Sequence, residues 1–124
     1  MSKINFGTDG WRGLIADDFT YQNVEIVGWA IASYIKESLI NERGVVVGYD
    51  TRFGSKEFAN QISTIFLSAG IDIYLVTDPT PTPVITNEVI SRGCDLGVII
   101  TASHNGWKWN GIKLRNSKGL SLEK

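Results

Sequence analysis

Cysteine and histidine are nearly absent from this chain, and long apolar runs are missing altogether. Cys94 is the only cysteine, so no internal disulfide can form, as is usual for proteins of a reducing compartment. The N-terminal residues lack the apolar core of a secretory signal, and no apolar run approaches the length of a membrane span. We therefore expect a soluble, cytoplasmic protein with no membrane partner.

Acidic residues are also missing from one long stretch, residues 96–122. The net charge of the whole chain is −1, which does not favour binding to nucleic acid. The stretch nevertheless contains five basic or titratable side chains, His104, Lys108, Lys113, Arg115 and Lys118. A local excess of positive charge suits an anionic ligand, although a solvated basic surface would explain the same composition.

Helix and strand patterns alternate along the chain. Apolar residues at helical spacing predict three helices, with start or stop signals at Thr20, Gly44, Gly70, Thr82–Pro83 and Gly93. In the third helix, Thr82 is expected to be the N-cap and Pro83 the first helical residue. Short apolar runs predict strands at 45–49, 71–76, 96–100 and 111–114. This order is typical of the α/β class, here a three-layer α/β/α sandwich with a mainly parallel, mixed sheet.

Ser103 lies in one of two polar loops that follow predicted strands, 50–52 and 101–105. Ligands of such sheets bind at the carboxyl ends of the strands. The serine could be a nucleophile or a phosphate carrier, or a turn serine that satisfies the nearby backbone. A serine hydrolase is not favoured, because the only histidine directly follows Ser103 and no Gly-x-Ser-x-Gly motif is present.

Two cationic side chains are candidates for the same pocket. The pair Asn110-Gly111 favours a tight turn, which would fold Lys113 back toward Ser103. Its ammonium could then balance the charge of a phosphoserine, about −1.5 to −2. Arg12 lies in the glycine-rich stretch 6–13, and its guanidinium could bind a phosphate through two parallel hydrogen bonds. Taken alone, these features are equally compatible with an exposed strand lysine and a flexible entry loop.

Together, these motifs resemble those of the α-D-phosphohexomutase family (phosphoglucomutase/phosphomannomutase), in particular its N-terminal α/β/α domain I. Four segments carry the resemblance in the family's order, 6–13, 48–52, 79–83 and 101–113. They cover nearly the whole chain, and the serine loop is the most specific of them. Gly106 is a departure, because the family usually has a proline after the His-Asn pair.

The resemblance implies an isomerase, an intramolecular phosphotransferase that interconverts the 1- and 6-phosphates of glucose or mannose through a bisphosphate. Phosphorylated Ser103 would donate its phosphoryl group to the hexose phosphate. Lys113 and Arg12 match family positions credited with proton transfer, charge neutralisation or phosphate binding. His104 matches a position that supports the serine loop.

Thr8 and Asn105 match further phosphate-binding positions of the family. The resemblance also implies one Mg²⁺ per site, bound through the phosphate on Ser103. The remaining metal ligands of the family form an Asp-Gly-Asp-x-Asp-Arg run on a second domain, and this chain has no Asp-x-Asp.

We therefore expect residues 1–124 to be a domain excised from a longer multidomain enzyme and to be inactive alone, with the remaining domains as partners. Two alternatives stay open. One is a non-catalytic sugar-phosphate-binding domain of the same fold. The other is domain I of a phosphoglucosamine mutase.

Overall fold

A five-stranded sheet and three helices make up the fold in the computed structural model, which describes residues 10–16, 19–38, 44–51, 54–101 and 108–120. The strands are β1 (Gly10–Leu14), β2 (Val45–Tyr49), β3 (Ile73–Leu75), β4 (Leu96–Ile100) and β5 (Trp109–Asn116). The helices are α1 (Tyr21–Ser38), α2 (Ser55–Ser68) and α3 (Thr82–Arg92). The strand order across the sheet is β1-β5-β4-β2-β3.

The sheet is mixed, with one reversed strand. β2 pairs in parallel with both β3 and β4, whereas β5 is antiparallel to β4 and to β1. β1 therefore runs in the same direction as the three parallel strands, and β5 alone is reversed. The predicted α/β class with a mainly parallel, mixed sheet is confirmed.

Both faces of the sheet are covered, as the alternation along β2 demonstrates. Val45 and Val47 belong to the larger apolar cluster, which includes the buried residues of α1 and α2. Val46 belongs to a smaller cluster with Ile85 and Val89 of α3. Side chains alternate between the faces of a strand, so the sheet lies between two helical layers and the predicted three-layer sandwich is confirmed.

The predicted helix boundaries agree with the structure at Thr20 and Gly93 but not at Thr82. Thr20 caps α1 as predicted, since the backbone N–H of Asn23 donates to the Thr20 hydroxyl at 3.1 Å. The predicted cap of α3 is wrong: Thr82 is already helical and Pro81 is the N-cap, without a side-chain hydrogen bond. The Ile85 N–H donates to the Pro81 carbonyl, so helical hydrogen bonding starts one residue earlier than predicted. Gly93 ends α3 in the left-handed region, with φ 65°.

The two ends of the sheet differ from the prediction. β3 is an edge strand of three residues instead of the predicted six at 71–76, and its Tyr74 and Leu75 are exposed. The guanidinium of Arg92 lies 4.9 Å from the centre of the Tyr74 ring.

At the other edge, β1 was not predicted as a strand, because its glycines weaken the strand pattern. Gly10 has φ +136°, and a Cβ there would lie 2.0 Å from the Ile112 carbonyl oxygen. Only glycine allows β1 and β5 to approach so closely. The described residues contain no helix with the length and apolar content to span a bilayer.

Cys94 provides a single-site reporter of unfolding. Its side chain is fully buried against α3, and this burial raises the pKa of the thiol. Both effects suppress modification, because the thiolate is the reactive species. We expect Ellman's reagent at pH 8 to label the native chain at least about tenfold more slowly than the chain in guanidinium, given the thiol's raised pKa and burial. Equal labelling rates in the two conditions would contradict the burial of Cys94.

Candidate active site

The carboxyl ends of β2 and β4 lie side by side and begin the candidate site. Tyr49 and Ile100 are register partners at the ends of these parallel strands. The N–H of Asp50 donates to the Ile100 carbonyl at 3.2 Å. Asp50 and Thr101 are therefore the first residues beyond the two strands, at the edge of the sheet where ligands of such folds bind.

A closed circuit of hydrogen bonds joins Asp50, Thr101, Gly111, Asn110 and Ser55; we call it the Asp50 ring. The Thr101 hydroxyl donates to one carboxylate oxygen of Asp50 at 2.5 Å. The Ser55 hydroxyl donates to the other oxygen at 2.8 Å. The four elements β2, β4, α2 and β5 meet in this ring.

The other half of the Asp50 ring runs through β5. The side-chain amide of Asn110 donates to the Ser55 hydroxyl at 2.9 Å, and its side-chain oxygen accepts from the Gly111 N–H at 2.8 Å. The Gly111 carbonyl then accepts from the Thr101 N–H at 2.9 Å. Thr101 and Asp50 are 51 residues apart in the sequence, and Asn110 and Ser55 are 55 residues apart. The ring is therefore formed by tertiary contacts.

Most of the Asp50 ring is shielded from water. Ser55 and Asn110 are fully buried, and Thr101 is 4% exposed. A buried polar group that loses its partner costs free energy, about 1–3 kcal/mol. The ring therefore fixes the relative positions of the strand ends, since any displacement leaves buried polar atoms unsatisfied.

Arg12 and Lys113 lie on one face of the sheet, next to the Asp50 ring. Arg12 is the register partner of Gly111, and Lys113 that of Gly10. The two residues are thus diagonal neighbours on adjacent strands, a position in which the Cα atoms are about 7–8 Å apart. Arg12 is exposed, whereas Lys113 is 8% exposed.

Close packing of β5 against β1 and against the end of β4 explains why position 111 is a glycine. A Cβ at Gly111 would lie 2.4 Å from the Trp11 carbonyl oxygen, 2.9 Å from that of Thr101 and 3.0 Å from Cγ of Arg12. Arg12, Gly111 and Thr101 therefore follow one another across β1, β5 and the end of β4 in close contact. This places the Arg12 side chain at the same level as the residue from which the serine loop departs.

The Asn110-Gly111 pair does not form the predicted turn. Both residues lie inside β5, which runs from Trp109 to Asn116 and not only over 111–114. The local turn preference is overruled because Asn110 has a buried tertiary partner in Ser55. Lys113 returns toward the site by antiparallel pairing of β5 with β4, where it faces Ile99.

The structure brings together two of the six predicted site residues, Arg12 and Lys113. The other four, Thr8, Ser103, His104 and Asn105, lie outside the described residues. Thr101 and Lys108, which flank the segment 102–107 in the sequence, are both described. The Lys108 carbonyl accepts from the Ile15 N–H at 2.7 Å.

The described residues do not supply a magnesium site. No group of three or more His, Cys, Asp or Glu side chains among them could hold a metal ion. Both carboxylate oxygens of Asp50 already accept hydrogen bonds from hydroxyl groups. Binding of Mg²⁺ through a phosphate on Ser103 and through ligands of another domain therefore stays a prediction.

Comparison with known proteins identifies the family. Residues 3–124 match the family described as phosphoglucomutase/phosphomannomutase, alpha/beta/alpha domain I. The chain belongs to this family. The predicted resemblance to the phosphohexomutases is therefore confirmed, including its assignment to domain I.

Several named phosphohexomutases are similar to this domain. The phosphoglucosamine mutase of Zymomonas mobilis subsp. mobilis is 41% identical over 123 residues, which cover 98% of this chain and 27% of the relative. That of Ruthia magnifica subsp. Calyptogena magnifica is 36% identical over 118 residues, or 94% and 26% of the two proteins.

A solved structure has the same fold. The crystal structure of a Thermus thermophilus protein assigned as a phosphomannomutase matches with a TM-score of 0.92 and 33% identity. The match covers 99% of this chain and 28% of that one. The chain thus spans about a quarter of the length of the relatives it matches.

The stability contribution of the Asp50 ring can be measured on α2, which carries two buried serines. Ser55→Ala removes two hydrogen bonds of the ring, and we expect a loss of about 1–3 kcal/mol in the free energy of unfolding. Ser63 is 4% exposed, and its hydroxyl has no hydrogen-bond partner in the described structure. Ser63→Ala is therefore the matched control and should be neutral or stabilising.

Urea denaturation of the 124-residue chain checks this pair of variants. A shift of the midpoint to lower urea for Ser55→Ala alone agrees with the ring. Equal midpoints for both variants would show that the hydrogen bonds of Ser55 contribute nothing to stability.

Proposed function

We propose that this chain is the phosphoserine-bearing domain of a phosphohexomutase, with Ser103 as the phosphoryl carrier. The observation that supports this most is the meeting of three features at one edge of the sheet. They are the Asp50 ring, which anchors Thr101, and the two cations Arg12 and Lys113 beside it. Ser103 follows Thr101 by two residues, so the covalent chain keeps their Cα atoms within about 7 Å of each other.

The proposed reaction has two half-reactions that mirror each other. In the first, the bond between phosphorus and Oγ of Ser103 breaks, phosphorus bonds to the free hydroxyl of a hexose monophosphate, and the proton of that hydroxyl passes to Oγ. The hexose bisphosphate turns in the site. In the second half-reaction Oγ of Ser103 takes back the other phosphoryl group and its proton passes to the hexose oxygen that is released, which regenerates the phosphorylated enzyme.

Arg12 and Lys113 provide the positive charge that this chemistry needs. Phosphoryl transfer is catalysed mainly by positioning and by electrostatic stabilisation of the transferring group. Donors that are already in place, in a site from which water is partly excluded, are the most effective. Lys113 fulfils this condition, because it lies in the regular strand β5 and is only 8% exposed, while Arg12 on the neighbouring strand β1 is exposed. His104, Thr8 and Asn105 keep their proposed roles in support and phosphate binding.

The carrier role is tested in the full-length protein by Ser103→Ala. Intact-mass measurement should show a phosphoryl adduct on the wild type and none on the variant, and mutase turnover should vanish in a coupled assay. The matched control is Ser117→Ala, at an exposed serine beyond the end of β5, which should retain both the adduct and the turnover. Normal turnover by Ser103→Ala would eliminate the carrier role.

The sugar is a separate part of the proposal. The motifs of the chain suggest glucose or mannose, whereas the relatives at 36–41% identity described above are named phosphoglucosamine mutases. We therefore propose glucosamine phosphate as the substrate.

A comparison of three substrates decides the sugar. The full-length protein should convert glucosamine 6-phosphate with a kcat/KM at least roughly tenfold above those for glucose 6-phosphate and mannose 6-phosphate, since a site that hydrogen-bonds a substrate amine discriminates strongly against analogues lacking it. A higher kcat/KM for glucose or mannose phosphate would overturn the glucosamine assignment while leaving the phosphohexomutase proposal intact.

A further inference from the structure

The Asp50 ring contains Thr101, which precedes Ser103 in the sequence, and Asn110 and Gly111, which follow it, and this suggests a role beyond stability. Thr101 is held twice, by its N–H to Gly111 at 2.9 Å and by its hydroxyl to Asp50 at 2.5 Å. Ser103 follows Thr101 by two residues and precedes Asn110 by seven residues in the sequence. Residues on both sides of Ser103 in the chain therefore belong to the Asp50 ring.

We infer that Asp50 and Thr101 are positioning residues for phosphoryl transfer, because the Asp50 ring fixes the backbone at Thr101, two residues before the proposed carrier Ser103 in the sequence. This inference rests on the proposed function, because it assumes that Ser103 is the carrier.

The bond between Thr101 and Asp50 has the properties of an orienting contact. Hydrogen bonds from a hydroxyl to a carboxylate are short and about twice as strong as neutral ones. Threonine is branched at Cβ and has few accessible rotamers, so fixing its hydroxyl also fixes its backbone. The second carboxylate oxygen of Asp50 is held by Ser55, which is fully buried at the start of α2. The carboxylate therefore cannot turn without breaking a buried hydrogen bond.

The row formed by Arg12, Gly111 and Thr101 makes this orientation relevant to catalysis. Thr101 and the Arg12 side chain both contact the site of the missing Cβ at Gly111, at 2.9 Å and 3.0 Å. A change in the backbone at Thr101 therefore alters its position relative to the Arg12 side chain. A misplacement of about 1 Å in such a site can lower the rate roughly 100-fold.

A purely structural role of the ring makes different predictions from a positioning role. A structural role would lower the melting temperature and leave kcat of the folded enzyme unchanged. A positioning role lowers kcat at temperatures well below the melting temperature, while KM for the hexose phosphate stays nearly constant, because neither Thr101 nor Asp50 is among the proposed phosphate-binding residues. The rate at which a hexose bisphosphate loads the phosphoryl group onto Ser103 should fall together with kcat.

The experiment compares Thr101→Val with Thr101→Ser in the full-length enzyme. Valine keeps the shape of threonine and removes the hydroxyl, whereas serine restores the hydroxyl. For Thr101→Val we expect kcat and the loading rate to fall at least about tenfold, with KM changed less than about threefold, because only transition-state positioning is lost. Thr101→Ser should recover kcat to within about threefold of wild type.

Asp50→Asn provides a second arm in case Thr101→Val does not fold. Asparagine preserves the size of the side chain and one oxygen, and it weakens the contact by removing the charge. We expect kcat to fall at constant KM here as well, and the Ser63→Ala control should retain wild-type kcat. Unchanged kcat and loading rate in the folded Thr101→Val or Asp50→Asn enzyme would overturn the inference, as would failure of Thr101→Ser to recover.

Failure of this inference can be told apart from failure of the proposed function. If Ser103→Ala is inactive and lacks the phosphoryl adduct while Thr101→Val has wild-type kcat, only the positioning role is wrong. If Ser103→Ala keeps its turnover, the carrier proposal falls and the positioning role falls with it.

Discussion

The carboxylate of Asp50, held between the hydroxyls of Thr101 and Ser55, is the contact around which the candidate site is organised. Each oxygen is occupied by a donor from a different element, so the end of β2 is joined to the end of β4 and to the start of α2. An apolar core packs helices onto a sheet but leaves small sliding motions open. Directional bonds in a partly dry environment remove that freedom at one place, the edge where the serine loop departs.

The reversed strand β5 determines which residues lie beside the carboxyl ends of β2 and β4. In a purely parallel sheet, only the last residues of the strands and the loops after them would lie at this end of the sheet. Because β5 runs in the opposite direction, Lys113 and Ile112 pair with Ile99 and Ile100 at the end of β4, and Gly111 accepts a hydrogen bond from Thr101. The site can therefore draw on side chains from within a regular strand, and Lys113 is presented by a rigid element and not by a loop.

The α/β class, the three helices and β4 were predictable because each depends on local patterns of apolar residues, capping and glycine. The Asp50 ring was not, because Thr101 and Asn110 lie 51 and 55 residues from their partners Asp50 and Ser55. Asn110-Gly111 shows the limit most clearly: its local preference is a turn, and a tertiary contact made it part of a strand. Arg12 and Lys113 were chosen from motifs, and only the register of β1 and β5 explains why they share a face.

The edge strand β3 affects how readily separate molecules of this domain associate at high protein concentration. Its three residues leave few backbone groups that another chain could pair with, and Arg92 lies against Tyr74 with its charge beside the strand. Short, charged edges of this kind discourage sheets of separate molecules from joining. The Asp50 ring thus lies at the carboxyl ends of the central strands, whereas the short edge strand β3 discourages pairing of the sheet with other chains.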